Sequence, residues 1–529
     1  MEKTKSQSFL GGAAILTAAV AVTKVIGFLY KIPLGNLLDR EGMAHFYAAY
    51  NIYNLLLVLS TAGLPLALSR LVSEAEALGL ENQKHRVLGT AISLFCIMGA
   101  VSSALMFLLA RPLTVLLHDS LAYWPVRMLS PAVFCVCVMA AIRGYTQGQG
   151  NMKPTAMSEI IESSCKLLVG LSAAWLLLRR GFPAHIAAAG AISGVTVGTL
   201  MGMLAMVLYL LGRRGRRPSN DVPQHRRFIL RRILAIGIPI TIGASSMSLI
   251  TLLDQSIVMG TLQKSLGLSE IQAAAMYGEY TFGMNLFALP SSFIYPVSIS
   301  LIPAIGQAMA RRNLLSAKRS TDAAFRVTAL LAFPAGIGLS VLAGPILTLL
   351  YPAVPETAAA AAYHLRILGI ASIFVCLMAV SNGILQAYGK ERIPLWSLLC
   401  GGMVKIVSNY LMVSRPEIGV RGAPISTLLC YALIALVNLI AIRCTLPVEI
   451  SYRRSFARPL AAALIMGAGA WGGYGLACRF VGNSLAVLSA VAAAVAIYAV
   501  LILALGAVCR EDVLMLPKGE KIAGWLHIS

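Results

Sequence analysis

Charge is scarce in this chain: Asp, Glu, Lys and Arg together make up 12% of its 529 residues, against 58% hydrophobic residues. A water-soluble fold cannot bury that much apolar surface, so the bilayer is the expected solvent. The sequence also lacks an HExxH motif, a GxSxG motif and a nucleotide-binding loop. We therefore expect no catalytic residues, no metal site and no cofactor.

Acidic residues are half as frequent as basic ones, 21 against 43, which leaves a net charge of +22. The basic residues lie mainly in loops and are not interleaved with aromatic residues, which indicates membrane topology and argues against a nucleic-acid partner. The ten cysteines are scattered through apolar segments without a CxxC pair. We expect them to act as small buried hydrophobic residues.

Long apolar segments are what the sequence has in abundance. Each is about 20 residues or longer, the length that a helix needs to cross a bilayer. The fourteen segments are 9–37, 43–72, 87–110, 121–146, 154–178, 184–211, 232–262, 268–306, 323–350, 357–388, 393–413, 420–442, 457–478 and 484–508. The start of the first resembles a signal peptide, but its helical pattern continues to about Leu37, which indicates a retained span. The sequence predicts an all-α polytopic membrane protein.

Residues 127–167 are repeated at 366–406 with a constant offset of 239 positions. Six spans return the chain to the same side of the membrane, so the two copies are parallel. We predict two six-helix bundles related by a pseudo-twofold axis along the membrane normal, followed by two additional helices. The predicted organisation is a first bundle at 1–211, a basic linker at 212–231, a second bundle at 232–443, and two helices with a tail at 444–529.

Basic residues are unequally divided between alternate loops. The linker region alone contains eight arginines between positions 213 and 232, and Arg143 and Lys153 are counted in the same set of loops. Loops rich in Lys and Arg remain on the cytoplasmic side of a membrane. We therefore predict that this set of loops and both termini are cytoplasmic.

Four lysines lie inside predicted spans, where a charge costs about 2.5–3.5 kcal/mol unless it has a polar cavity or a partner. Lys24 and Lys31 lie in the first span, and Lys166 and Lys405 occupy equivalent positions in the repeat. Together they favour a cationic cavity that receives an anionic headgroup, such as a lipid-linked pyrophosphate. The alternative is local pairing, because Glu162 lies four residues before Lys166.

Asp254 and Glu279 are carboxylates in the seventh and eighth predicted spans. Each could bind a coupling cation, carry a proton or pair with one of the lysines, and these interpretations are equally favoured. Transport could therefore draw on a Na⁺ gradient, an H⁺ gradient or the membrane potential. A cavity more acidic than basic would instead indicate a cation-coupled exporter of small amphipathic drugs.

A Gly-x-x-Gln-x-x-Gly pattern occurs once in each copy of the repeat, where a span leaves the membrane. No Lys-Ser/Thr follows, so we interpret the pattern as a turn and hinge and not as a phosphate-binding loop. Its residues are Gly144, Gln147, Gly150, Gly383, Gln386 and Gly389.

Three segments, 23–28, 59–74 and 143–152 followed by Pro154, resemble the stage V sporulation protein B group. That group belongs to the multidrug/oligosaccharidyl-lipid/polysaccharide flippase superfamily. The resemblance implies a fourteen-helix flippase of the plasma membrane that moves undecaprenyl-linked cell-wall precursors outward. It also implies a relation to lipid II flippases, and as partners a lipid-linked anionic saccharide, membrane lipid and cell-wall synthases.

At several positions the residue in this chain differs from the one that the resemblance leads us to expect. Lys24 stands where lipid II flippases have an arginine, and Lys31 keeps the charge of a second one, so the charge is retained and the bidentate geometry is lost. Tyr280 stands where a cargo-contacting arginine is expected. The cargo is then lipid II or a related lipid-linked glycan. A non-transporting scaffold for cell-wall synthases is a third interpretation, and it predicts that loop variants, not cavity variants, lose function.

Overall fold

The computed structural model describes residues 2–212, 219–310, 312–446 and 452–507, and within these ranges the chain is helical. The helices are α1 Glu2–Thr61, α2 Leu64–Ala77, α3 Glu81–Leu108, α4 Ala110–Leu116, α5 Tyr123–Gly148, α6 Lys153–Arg179, α7 Ala184–Gly212, α8 Arg226–Leu266, α9 Glu270–Ala310, α10 Leu314–Val341, α11 Ala343–Leu350, α12 Pro355–Ala387, α13 Arg392–Val413, α14 Gly422–Thr445, α15 Tyr452–Ala477 and α16 Asn483–Ala504. Short 3₁₀ turns precede α5 and α14.

Twelve candidate membrane spans are present in the described ranges. The first of them combines two predicted spans, because α1 continues through a kink at Asp39, whose φ of 53° is left-handed. The predicted segment 268–306 corresponds to α9, and several side chains in that helix lie outside the described set. The predicted tail beyond residue 507 also lies outside the described residues.

The first compact unit comprises Met1–Gly278. In it α5, α6 and α7 pack together with α1, and α8 packs against α1 and α2. Small residues allow these close approaches: a Cβ on Gly194 would lie 2.4 Å from the backbone nitrogen of Gly170 on the neighbouring helix. Without a hydrophobic force between helices in lipid, such close packing holds the bundle together.

The second compact unit comprises Glu279–Ser529. Its core lies between α10, α12 and α14, with Phe325, Cys376 and Ile442 among the fully buried side chains. The two additional helices pack on α10 and α11, where Ala463 and Ala490 are buried. Contacts therefore divide the chain after Gly278, although the predicted bundle boundary lies in the linker 212–231; α8 follows the linker and packs within the first unit.

Part of the predicted linker, residues 219–225, is described, whereas 213–218 lie outside the described residues. The Asp221 carboxylate accepts backbone N–H groups of Asn82 and Gln83 at 3.0 and 2.8 Å, at the first turn of α3. Desolvation opposes the charge, but the hydrogen bonds from Ser219 and these two N–H groups outweigh it and lower the pKa of Asp221. The linker is thus anchored to α3 by a helix-capping carboxylate.

Candidate functional site

A cavity of about 320 Å³ opens between five helices of the first unit, α1, α2, α5, α6 and α7. This size is at the lower end of the range for small-molecule sites. The lining residues are Tyr50, Tyr53, Leu57, Thr61, Pro65, Val136, Ala140, Arg143, Gln147, Glu162, Lys166 and Val195.

Helical spacing presents the polar groups to this cavity in pairs. On α5, Arg143 and Gln147 are four residues apart, and on α6, Glu162 and Lys166 are four residues apart. Residues at i and i+4 share one face of a helix, so each helix presents two polar side chains. The cavity therefore contains two cationic groups and one carboxylate.

Arg143 is held in place by two residues of α6. Its Nη2 lies 3.3 Å from Glu162 Oε2, and its Nε donates to Ser158 Oγ at 2.9 Å. The side chain is only 18% exposed. The prediction that Arg143 is a loop charge is wrong, because α5 continues to Gly148 and carries this arginine on its inner face.

Lys166 is surrounded by aromatic rings. Its Nζ lies 5.0 Å from the ring centre of Tyr30 and 4.9 Å from that of Tyr50. Ammonium groups at such distances are attracted to the faces of aromatic rings. The ion pair of Glu162 at this site is with Arg143, so the positive charge of Lys166 is held mainly by tyrosines.

The other predicted lysines of the first unit lie outside this lining. Lys24 is exposed, and its charge acts on the Glu159 carboxylate of α6. Lys31 is half-buried, with its Nζ 5.5 Å above the ring of Tyr47. The structure thus brings Lys166 and Glu162 together with Arg143, whereas Lys24 and Lys31 are not among the residues that line the cavity. Their proposed contact with cargo stays a prediction.

The predicted carboxylate Asp254 is buried in α8 of the first unit. Beside it, Gln255 accepts a hydrogen bond from Asn51 of α1 at 2.8 Å. Asn54, one turn further along α1, donates to Ser248 of α8 at 3.3 Å. A row of polar side chains therefore joins α1 to α8.

The remaining predicted site residues belong to the second unit. Lys405 is buried on α13, and Glu279 is half-buried on α9. Tyr280 is buried, and its hydroxyl lies 2.9 Å from Thr427 Oγ1. Tyr280 therefore binds a neighbouring helix through its hydroxyl.

The repeated turn element has the same geometry in both copies. Gly150 and Gly389 adopt φ values of +75° and +72°, a conformation that side chains rarely adopt. Their N–H groups donate to the carbonyls of Gln147 and Gln386, each at 2.9 Å. The two helices therefore end in matching left-handed turns.

The inner glycines of the element, Gly144 and Gly383, both lie against a neighbouring backbone. A Cβ on Gly144 would lie 2.8 Å from the Pro65 carbonyl oxygen, and one on Gly383 would lie 3.0 Å from that of Ser298. A hinge motion at either position stays a prediction. Among the described residues, no group of three or more His, Cys, Asp or Glu side chains could hold a metal ion.

The sequence model of the polysaccharide biosynthesis protein family matches residues 9–309, more than half of the chain. The chain belongs to this family. The model of the MatE family matches residues 239–411.

Curated relatives cover most of the chain. Stage V sporulation protein B of Bacillus subtilis (strain 168) is 26% identical over 464 residues, covering 85% of this chain and 87% of the relative. Lipid II flippase MurJ of the same organism is 25% identical over 460 residues, covering 83% of each. The predicted family resemblance is confirmed.

Solved structures share the fold. "Lipid II flippase MurJ, inward closed conformation" has a TM-score of 0.71 at 14% identity, covering 92% of this chain and 98% of that one. An inward-facing MATE family transporter of the MOP superfamily has a TM-score of 0.66 at 16% identity, covering 78% and 93%. The predicted all-α polytopic membrane fold is confirmed. This family member is a multi-pass membrane protein of a superfamily of flippases and transporters.

Proposed function

We propose that this protein is a flippase that moves an undecaprenyl-pyrophosphate-linked cell-wall saccharide, lipid II or a related lipid-linked glycan, across the plasma membrane by alternating access. The observation that carries the proposal is the charge of the first unit's cavity. Arg143 and Lys166 supply two positive charges against the single negative charge of Glu162. A cavity with a net positive charge favours an anionic cargo.

The cavity offers suitable groups for both parts of such a headgroup. Arg143 and Lys166 are donors for a pyrophosphate, and charge-assisted hydrogen bonds to phosphate are among the stronger polar contacts in proteins. Tyr50, Tyr53 and Gln147 line the same space and can bond the hydroxyl groups of a saccharide. The prenyl chain would remain in the surrounding lipid, because its transfer to a polar cavity is unfavourable.

The Arg143–Glu162 ion pair gives this cavity a way to exchange partners. At 3.3 Å, Glu162 holds the guanidinium in place when the cavity contains no anion. An entering phosphate would compete with Glu162 for the same N–H groups. Binding of the cargo would then weaken the link between α5 and α6. The weaker link favours a change of conformation when cargo is bound.

The relatives' names support this class of cargo. One relative is a lipid II flippase and another is a sporulation protein, and both span more than four fifths of this chain. Cell-wall synthases that make or use such a lipid would be its partners. The energy source would be a Na⁺ gradient, an H⁺ gradient or the membrane potential.

Flipping of lipid II in proteoliposomes tests the proposal. Replacing Lys166 by Gln removes a charge from the cavity and should lower the flipping rate at limiting lipid II by about tenfold or more, since a hydrogen bond to a charged group contributes about 1.5–3 kcal/mol. Lys153→Gln is the matched control, because Lys153 is an exposed lysine of the same helix. Equal loss in both variants, or normal flipping by Lys166→Gln, would contradict the proposal.

A cation-coupled exporter of amphipathic drugs is the second candidate. The MatE match over 239–411 favours it, and that range includes Asp254 and Glu279. This alternative predicts movement of a cationic drug without movement of lipid II in the same vesicles. It also predicts that Asp254→Asn abolishes the drug movement, whereas Lys166→Gln does not.

A further inference from the structure

A buried His–Asp pair lies in the first unit, apart from the residues that line the cavity. His45 Nδ1 is 2.7 Å from Asp119 Oδ1, and both side chains are 0% exposed. His45 lies on α1 beyond the kink, and Asp119 lies in the turn between α4 and α5. A buried charge needs a partner, so the protonation of one residue determines the energy of the other.

The pair has a connection to solvent on one side. Glu41 lies one helical turn before His45, its Oε1 is 3.9 Å from His45 Nε2, and its side chain is 35% exposed. His45 Nε2 and Asp119 Oδ2 have no hydrogen-bond partner among the described residues. The order from outside to inside is therefore a partly exposed carboxylate, a buried imidazole and a buried carboxylate.

This order suits the transfer of a proton. A proton taken up by the Glu41 carboxylate can pass to His45 Nε2, which breaks one O–H bond and forms one N–H bond. The Nδ1–H of His45 keeps donating to Asp119 throughout. Without the proton, a neutral imidazole faces a buried carboxylate anion; with it, an imidazolium–carboxylate pair has no net charge.

Asp119 belongs to a turn, residues 116–121, that α8 and α9 hold in place. Ser256 Oγ donates to the Leu116 carbonyl, and Gln263 Nε2 donates to the His118 carbonyl, each at 2.6 Å. The Glu270 carboxylate, at the start of α9, accepts from Ser120 Oγ at 2.7 Å and from the Leu121 N–H at 3.1 Å. The turn between α4 and α5 is thus joined to α8 and to the start of α9.

The turn is held in a strained conformation. His118 has a φ of 55°, which costs free energy for a residue with a side chain, and its ring lies against Gly260 of α8. A Cβ on Gly260 would lie 2.8 Å from His118 Cε1, so a larger residue at this position would displace the His118 ring. The contacts with α8 and α9 therefore compensate for strain that would otherwise favour release of the turn.

Other titratable groups surround the pair. His185 of α7 lies edge-on to His45, with ring centres 6.3 Å apart. Burial, together with the positive charge of Lys264 on α8, lowers the pKa of His118. Glu270 of α9 is already engaged by the turn. Among the groups described around the pair, Glu41 is thus the partly exposed one within 4 Å of His45.

We infer that the His45–Asp119 pair is a proton-binding site, loaded through Glu41, whose occupancy keeps the turn 116–121 docked on α8. Loss of the proton leaves an uncompensated carboxylate charge in the interior, and release of the turn lets Asp119 reach water. The inference rests on the proposed transport function and identifies H⁺ as its coupling ion. The predicted orientation places this end of the protein outside the cell.

Hydrogen exchange of the purified protein in lipid nanodiscs tests the site without any cargo. After correction for intrinsic rates, the protection of 116–121 should fall several-fold from neutral to clearly alkaline pH in the wild type. In Asp119→Asn, which has no carboxylate to compensate, the protection should not depend on pH. His85→Gln, a histidine variant elsewhere in the first unit, should behave like the wild type.

His45→Gln is a second variant for the case in which Asp119→Asn does not fold, and it should also lose the dependence on pH. Protection that is independent of pH in the wild type, or a dependence that both variants retain, would overturn the inference. Lipid II flipping in proteoliposomes made from the same purified proteins separates the two proposals. If the protection of 116–121 depends on pH but lipid II is not flipped, the proposed cargo is wrong and the proton site stands. If lipid II is flipped but the protection does not depend on pH, only the proton site is wrong.

Discussion

The two copies of the repeat use the same positions for different chemistry. In the first unit, positions 143, 158, 162 and 166 are Arg, Ser, Glu and Lys, whereas their equivalents 382, 397, 401 and 405 in the second unit are Asn, Ser, Gly and Lys. Of the first set, Arg143, Glu162 and Lys166 line a cavity with charged groups. In the second set, the ion pair has been replaced by an amide and a glycine.

Helix packing explains why the carboxylate occurs in one copy only. Between α6 and α7 the close approach is made by a glycine of α7: a Cβ on Gly198 would lie 2.5 Å from the carbonyl oxygen of Glu162. Between α13 and α14 the glycine is on the other helix, and a Cβ on Gly401 would lie 2.3 Å from Ile434 Cγ1. A carboxylate side chain has space at position 162 but not at 401.

The second unit uses two of its equivalent positions, 382 and 397, in a network of uncharged side chains. Asn438 of α14 donates to Asn382 Oδ1 at 2.7 Å and to Ser381 Oγ at 3.1 Å, and it accepts from Ser397 Oγ at 2.8 Å. Three helices are thus joined by one amide. The comparison indicates that the two copies share their helix geometry, while the polar positions line a charged cavity in one copy and join helices in the other.

Replacing Arg143 of the first unit by asparagine, the residue at the equivalent position of the second unit, should cause the largest effect, a loss of flipping. Arg143→Asn removes a cavity cation and leaves Glu162 without its ion-pair partner, so the remaining charges of Glu162 and Lys166 cancel. We expect lipid II flipping at limiting substrate to fall by about tenfold or more, because a contact to the phosphate is lost and an unpaired carboxylate repels it.

The matched test is the double variant Arg143→Asn with Glu162→Gln. Removal of the carboxylate should restore part of the flipping that the single variant loses, which a double-mutant cycle would report as coupling of the two positions. Additive losses would mean that the ion pair does not act as a unit. The measurement is the initial flipping rate at several lipid II concentrations.

Much of the fold follows from the sequence because it depends on local patterns. Apolar length identified the spans, and the constant offset of 239 identified equivalent positions such as Lys166 and Lys405. The turn at Gly150 was also predictable, since glycine with a following polar loop is typical of a helix end. These features need no knowledge of which helices are neighbours.

Which residues form the site depends on which helices are neighbours, and local sequence patterns do not determine that. Charge counting places Arg143 in a loop because it does not locate a helix end to within one turn. Its four-residue spacing from Gln147, matched by that of Glu162 and Lys166, could have indicated a shared polar face. The exposure of Lys24 depends on the rotation of α1 relative to its neighbours, and that is a tertiary property.

Adding a methyl group at the close contact between α13 and α14 should cause the next largest effect, a loss of stability. Gly401→Ala places a methyl group against Ile434 and within 3.2 Å of the Cys430 carbonyl oxygen, so α13 and α14 must separate or Ile434 must move. Overpacking of this kind costs about 1–3 kcal/mol. We expect a lower midpoint of thermal unfolding in detergent, with flipping by the surviving folded protein close to the wild-type rate.

Gly472→Ala is the control for that variant. Gly472 lies in α15 of the same unit with open space around the position of a Cβ, so alanine should be neutral or slightly stabilising there. An unchanged unfolding midpoint for Gly401→Ala would show that α13 and α14 can separate without loss. The packing explanation for the missing carboxylate would then be wrong.

Removing the amide of the neutral network should have the smallest effect of the three. Asn438→Ala loses three hydrogen bonds between helices, but such bonds contribute only about 0.6 kcal/mol each on average in membrane proteins, and the serines can bond to their own helices. We expect a free energy of unfolding lower by about 1–2 kcal/mol. The midpoint of thermal unfolding is the measurement.

Thr445→Ala is the matched control on the same helix, because its hydroxyl donates to the Ala441 carbonyl of α14 itself and is exposed. It should leave the midpoint unchanged. If Asn438→Ala instead abolished flipping while the protein stayed fully folded, the second unit's polar positions would bind cargo as those of the first unit are proposed to do. The contrast between a binding copy and a cohesive copy would then have to be abandoned.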